Sequence, residues 1–210
     1  MRAMASRCRW GVLGAALGLL AIPLPAVESP WVLLEGLRAA LESAGPLTAR
    51  FVQTYTPAGF SSSDEEGGHL SIWLPRCLRW NYDEGKSFLV CGGEVHQWNE
   101  DEPGGRVYEI DPTRETGLDL LLVDVDTLRE RYVASSQELP DGSKVIDLAV
   151  PPEQGEFRAR IFLNPEGTRV SALEYVDSEG NRTRFALEGY QRLEHTALFN
   201  PPAGVEWTRE

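Results

Sequence analysis

The sequence predicts a mainly β chain with two helical inserts, its strands antiparallel and curled into a barrel, a half-barrel or a sandwich. Three observations carry this reading. Apolar and polar residues alternate in about eleven short runs. Turn residues (Gly, Pro, Asn and acids) separate the runs. Two stretches break the period of two, one near the start and one in the middle. So many strands do not remain a flat open sheet. The chain has 210 residues, 42% hydrophobic and 25% charged, which is globular composition. Neither a linker nor an internal repeat divides it.

The first segment is an address rather than a fold. Arg2, Arg7 and Arg9 precede the apolar run Gly11–Ile22, and Pro23-Leu24-Pro25-Ala26 follows. A basic start, a short apolar run and a small-residue boundary predict a cleaved secretory signal peptide over residues 1–26. The run is short for a membrane span. The expected mature chain is therefore residues 27–210, one domain, soluble and exported. The leader holds three arginines and no acid, so its removal takes the net charge from −12 to −15. That balance argues against nucleic acid as a partner, which would need a basic footprint.

The elements follow in order. Ser29-Pro30 before Trp31–Ser43 predicts a helix, with Ser29 as its cap and Gly45-Pro46 as its stop. Leu33, Leu34, Leu37 and Leu41 fall on one face of it. Strands are predicted at Leu47–Thr56, Gly68–Leu74, Cys77–Tyr82, Ser87–Cys91, Val95–Trp98 and Arg106–Ile110. Thr116–Arg131 reads as one or two short helices. Strands resume at Tyr132–Glu138, Lys144–Val150, Phe157–Leu163, Arg169–Val176 and Thr183–Tyr190. Phe199-Asn200-Pro201-Pro202 closes the chain.

Motifs for catalysis are lacking, and the expectation is a binding protein without cofactor or metal. His69, His96 and His195 have no partner at metal-ligand spacing. No nucleophile elbow or phosphate loop occurs. Ser61–Glu66 reads as a solvated loop, and its acids lack calcium-loop spacing. Asn181-Arg182-Thr183 matches a glycosylation sequon and equally makes a hairpin turn. A hydrolase built on scattered carboxylates has no motif behind it.

Cys77 and Cys91 lie on strands joined through the Asp83–Lys86 turn. With Tyr82 facing Ser87, Cys77 falls opposite residue 92; a shift of one residue brings it opposite Cys91. In an exported chain the two could form a disulfide or remain two small buried hydrophobes. The feature that stands out is apolar surface. Leu70, Ile72, Leu74, Leu78, Trp80 and Tyr82 share parity on consecutive strands, and Phe51, Val90 and Phe185 can join them. Such a face is a packed core or the lining of a lipid cavity.

One series of residues bears on that choice. Phe51-Val52-Gln53 is followed by Gly68-His69-Leu70, then by Pro75-Arg76-Cys77-Leu78-Arg79-Trp80-Asn81-Tyr82. Leu89-Val90-Cys91-Gly92-Gly93, Val95-His96-Gln97-Trp98 and Phe199-Asn200-Pro201-Pro202-Ala203-Gly204-Val205 come after. In order and spacing, from about Trp31 to Trp207, the series resembles the LolA family of periplasmic outer-membrane lipoprotein carriers. The resemblance implies an incomplete, strongly bent antiparallel half-barrel with a helical lid over an apolar cavity. It implies a chaperone for lipoprotein transport and localization between the two membranes. Its partners would be the acyl chains of the lipoprotein cargo, an inner-membrane ABC-type releasing complex and an outer-membrane receptor, with the carrier a monomer.

Carried over position by position, the resemblance makes Leu78 and Trp80 cavity residues. Strand parity adds Phe51, Leu70, Ile72 and Tyr82. The lid segment matches Thr116–Val123, so Leu118, Leu121 and Leu122 should face the lipid. One departure matters. In the family an Arg precedes the Pro of the Pro-x-x-Leu segment and hydrogen-bonds the lid in the closed form. Here that position is Leu74, and Arg76, of the same parity, is the expected substitute latch. A lipid-binding or lipoprotein-sensing module on the same fold is the alternative reading.

Overall fold

The computed structural model describes residues 28–110, 120–153 and 155–210. The expected signal peptide and Leu118 lie outside them. Helix α1, Pro30–Ala44, starts with proline in its first turn, where the missing N–H costs nothing. Ser29 does not cap it with its side chain as expected; only its carbonyl serves, accepting from Leu33 N at 3.0 Å. Gly45, at φ 73°, ends the helix, and Leu33, Leu34, Leu37 and Leu41 are buried along one side. No helix among the described residues is long and apolar enough to cross a membrane.

The strands then run as β1 Leu47–Thr56, β2 Asp64–Trp73, β3 Cys77–Tyr82, β4 Lys86–Cys91, β5 Glu94–Asn99 and β6 Gly104–Glu109. Helix α2, Val125–Arg131, is the part of the predicted central insert that is helical among the described residues. After it come β7 Val133–Glu138, β8 Lys144–Ala149, β9 Arg158–Leu163, β10 Val170–Val176, β11 Arg182–Arg192 and β12 Glu206–Arg209. All belong to one sheet in the order β12-β6-β5-β4-β3-β2-β1-β11-β10-β9-β8-β7. Among the described residues every pairing but one is antiparallel, and the sheet is open, with β12 and β7 at its edges. The expected half-barrel is therefore the architecture found.

Two strand assignments differ from the expectation. Strand β2 begins at Asp64, four residues early, because β1 keeps its full register against it from Leu47↔Ile72 to Tyr55↔Asp64. The acids of the expected loop, Asp64, Glu65 and Glu66, are thus strand residues, and Glu66 is ion-paired to Lys86 at 2.9 Å. The twelfth strand, β12, was not foreseen. Four residues with one aromatic give no alternation to read. It pairs parallel to β6, with Trp207 opposite Gly105, where a Cβ would lie 2.5 Å from the indole.

The two faces of the sheet carry separate clusters. Residues of β1–β4 and β8–β11 on one face pack with the leucines of α1 and with Leu120, Leu121, Val125 and Leu128. On the other face, Cys77, Leu89 and Trp98 are covered by Phe199 from the 3-10 turn Ala197–Phe199. Trp73 and Trp207 pack at that cluster's margin.

Candidate functional site

The sheet register decides which side chains meet. Across β1, β2, β3 and β4 it sets Leu47, Ile72, Leu78 and Val90 in one row of the covered face. The next row is Ala49, Leu70, Trp80 and Phe88; the next joins Phe51, Gly68 and Tyr82; then come Gln53 and Glu66. Polarity rises along the strands, from four aliphatic residues to an amide and a carboxylate. This follows from period-two alternation continued over ten-residue strands.

Phe51, Leu70, Ile72, Leu78, Trp80 and Tyr82, the six residues expected to line a cavity, all fall in this one buried cluster. Phe51 is its hub. Its ring makes edge contacts with Trp80 at 5.1 Å, Tyr82 at 5.0 Å and Phe185 at 5.8 Å. Trp80 and Phe185 are closer still, at 4.5 Å. The ring of Phe51 lies over Gly68, its partner on β2, where a Cβ would come 2.6 Å from Cζ. Tyr82 donates its hydroxyl to Gln53 Oε1, and Lys86 Nζ lies 4.1 Å from the centre of its ring. Burial is the main cause that raises the Tyr82 hydroxyl above the usual phenol range, so it stays a donor. The indole Nε1 of Trp80 is buried and has no hydrogen-bond partner among the described residues.

Over this face lie α1 and the segment 120–131. Leu121 is buried and Leu122 is half-buried against the cluster. The tie to this segment is one that sequence reasoning missed. Arg38 Nη1, on α1, donates to the carbonyls of Leu121 and Val123, each at 2.8 Å. Its side chain is 14% exposed, with Glu42 at 3.9 Å on the next turn. Arg129 of α2 reaches Glu35 at 3.0 Å and lies over Trp31. Asp124 caps α2 by accepting from Thr127 N at 2.8 Å, a bond that holds its carboxyl below the usual range.

Arg76, the expected latch, is exposed and its guanidinium lies over Trp73, 4.8 Å from the ring centre. Proline 75 is where its parity fails. Residues 74–76 form a turn closed by Arg76 N to Trp73 O, so alternation does not carry across. Leu74, at the position of the family's Arg, is buried with the apolar cluster. The signal for Arg38 was present as a lone basic residue beside the leucine stripe of α1, but its partners are backbone carbonyls 83 and 85 residues away.

Cys77 and Cys91 are paired, with S–S 2.06 Å and Cα–Cα 4.5 Å. The register is the shifted one. Asn81 faces Ser87 because the turn is Asp83–Gly85, three residues where four were expected, with Gly85 at φ 87°.

Comparison with known proteins decides what kind of sheet this is. The model of the family described as outer membrane lipoprotein carrier protein LolA matches residues 42–199. The chain belongs to the LolA family. An outer-membrane lipoprotein carrier protein of Methylococcus capsulatus is 26% identical over 176 residues, covering 81% of this chain and 84% of that protein. One of Pseudomonas aeruginosa is 25% identical over 185 residues, covering 84% and 88%. Among solved structures, an uncharacterized conserved protein from Thermus thermophilus superposes with TM-score 0.52 at 12% identity, over 85% of this chain and 98% of that one, a likeness of fold. The P-x-x-L-R-W-x-Y segment of this LolA-family chain is the end of the turn at residues 74–76 followed by β3, and its Trp80 is buried in the covered face.

Proposed function

We propose that this chain is a periplasmic carrier that takes the acyl chains of lipoproteins onto the apolar face of its open sheet and carries them from the inner to the outer membrane. The observation that carries the reading is the cover. Among the described residues, an extended apolar face of a single sheet is closed by α1 and the segment 120–131, which includes α2, and not by a second sheet. Such a cover can move aside without unfolding the sheet.

The physical need is plain. Each buried CH₂ is worth about 0.8 kcal/mol, so one long acyl chain costs on the order of 10 kcal/mol to leave in water. A face offering similar contact removes most of that barrier. In the empty protein the face is filled by its own aromatic rings and the leucines of α1, and a guest would displace the cover. Arg38 is then the clasp, in place of the Arg that stands at the Leu74 position elsewhere in the family. An inner-membrane releasing complex and an outer-membrane receptor are the partners such a role calls for.

The test is to recover the mature chain from cell extracts and analyse what is bound by mass spectrometry. Acylated lipoprotein supports the carrier. Free phospholipid alone favours a general lipid-binding or sensing module, and neither, from a folded protein, refutes both. Trp80→Arg should abolish capture; normal capture by a folded variant would remove the site assignment.

A further inference from the structure

We infer that the indole N–H of Trp80 is the donor that reads the acyl carbonyl of the bound lipid, so the face selects ester-linked chains and fixes their depth. The inference rests on the carrier reading and names the chemical group that its site recognises. Trp80 is 1% exposed, and its Nε1 has no hydrogen-bond partner among the described residues. A buried indole N–H ordinarily finds an acceptor, and leaving one unmade is costly. Its ring neighbours, Phe51 and Phe185, are hydrocarbon. A phenylalanine would fill such a place without that cost. The missing acceptor is therefore one that a guest brings.

The guest's acceptor has to be neutral. A phosphate or carboxylate this deep would cost far more than one hydrogen bond returns. A carbonyl oxygen at the head of an acyl chain meets the requirement. The rows of the sheet say how the chain would lie. On one side of Trp80 is the aliphatic row Leu47, Ile72, Leu78 and Val90. On the other are Tyr82 with Gln53, then the Glu66–Lys86 ion pair. With its carbonyl at Trp80, a chain runs over the aliphatic row and the glyceryl head points to the polar end. Trp80 stands where hydrocarbon gives way to hydrogen-bonding groups, as an ester does within a lipid.

The experiment compares ester with ether. A dipalmitoyl-glyceryl-cysteinyl lipopeptide and its dialkyl ether twin have the same chains and head, and differ in the carbonyls. The wild-type chain should bind the ester form about tenfold more tightly, the scale of one buried hydrogen bond. Replacing Trp80 by 3-benzothienylalanine, which keeps the two-ring shape without the N–H, should reduce that ratio to about one; Trp80→Phe should do the same. The Trp80 indole ¹H–¹⁵N resonance should move downfield with the ester probe and not with the ether. A diester phosphatidylethanolamine and its diether twin, run alongside, tell whether the carbonyl read belongs to lipoprotein anchors alone or to any acyl lipid. Equal binding of ester and ether by the wild type overturns the inference and leaves the carrier standing. No binding of any probe overturns the carrier reading and this one with it.

Discussion

Arg38 on α1 holds the backbone of Leu121: Nη1 donates to that carbonyl and to the carbonyl of Val123, both at 2.8 Å. Hydrogen bonds from a charged donor are worth about 1.5–3 kcal/mol each when shielded. The two bonds tie α1 directly to the segment covering the face. The Arg129–Glu35 pair is nearly half exposed on both sides, so it contributes little.

Arg38→Leu should therefore shift the cover toward its open state. An empty protein that is more often open binds guests with higher apparent affinity, in proportion to the open fraction. Retention of a fluorescent acyl probe should rise about tenfold and its release to acceptor vesicles should slow. Arg129→Ala should change either quantity by less than about twofold. Unaltered retention in Arg38→Leu, with the fold intact by circular dichroism, would remove the clasp. Arg76→Leu should leave release unchanged, since its guanidinium packs on Trp73.

The disulfide ties β3 to β4 beneath the second cluster, where Cys77 packs with Leu89, Trp98 and Phe199. It closes a loop with a sequence separation of 14. Such a loop is worth roughly 2–4 kcal/mol. The double change Cys77→Ser, Cys91→Ser should lower stability by that amount in urea unfolding. Acyl-probe binding at 25 °C should persist, because the bond lies on the face opposite Trp80. A thiol titration of the unfolded, unreduced mature protein should find no free thiol.

His96 stands edge-on to Trp207, with ring centres 5.0 Å apart, a contact that adds to the backbone pairing of β12 with β6. Burial holds its imidazole below the usual range; Glu94 pulls it up and Arg209 pushes it down, both more weakly. A depressed histidine binds its proton more readily when unfolded. Its contribution is thus complete above the unfolded value, about 6.5, and is lost as pH falls below it. Tryptophan fluorescence should report loosening of the C-terminal segment as pH falls below about 6.5, and His96→Phe should flatten that profile. The same slope in the variant would assign the loosening elsewhere.

How far the sequence could be read depends on the range of the interaction. Alternation is local, so β1, β3, the leucine stripe of α1 and the shared parity of Leu70, Leu78 and Trp80 were legible from it. The register of β3 on β4 turned on one residue, because a three-residue turn is not distinguishable by composition from a four-residue one. Strand β12 and the bonds of Arg38 were not legible at all. Each depends on partners far along the chain, a glycine left open for Trp207 and two carbonyls in a covering segment. The expectation of Arg76 as a substitute latch came from strand parity, which the turn at residues 74–76 interrupts.

The last prediction concerns Gly68, whose role is room rather than backbone freedom. A Cβ there would lie 2.2 Å from Asn81 O and 2.6 Å from the ring of Phe51. The first neighbour is backbone held in the β2–β3 ladder, so it cannot give way cheaply. The second is the ring that contacts Trp80, Tyr82 and Phe185. Gly68→Ala should destabilise the protein by about 1–3 kcal/mol, the usual cost of overpacking. In Phe51→Ala the ring is gone, which relieves part of the clash, so the two changes should be less than additive. Phe51→Ala alone should cost about 3–5 kcal/mol as a buried aromatic deletion. A double-mutant cycle in urea measures the coupling. Strict additivity would mean that Gly68 is needed for the Asn81 carbonyl alone and that Phe51 is not held in place by the glycine beneath it.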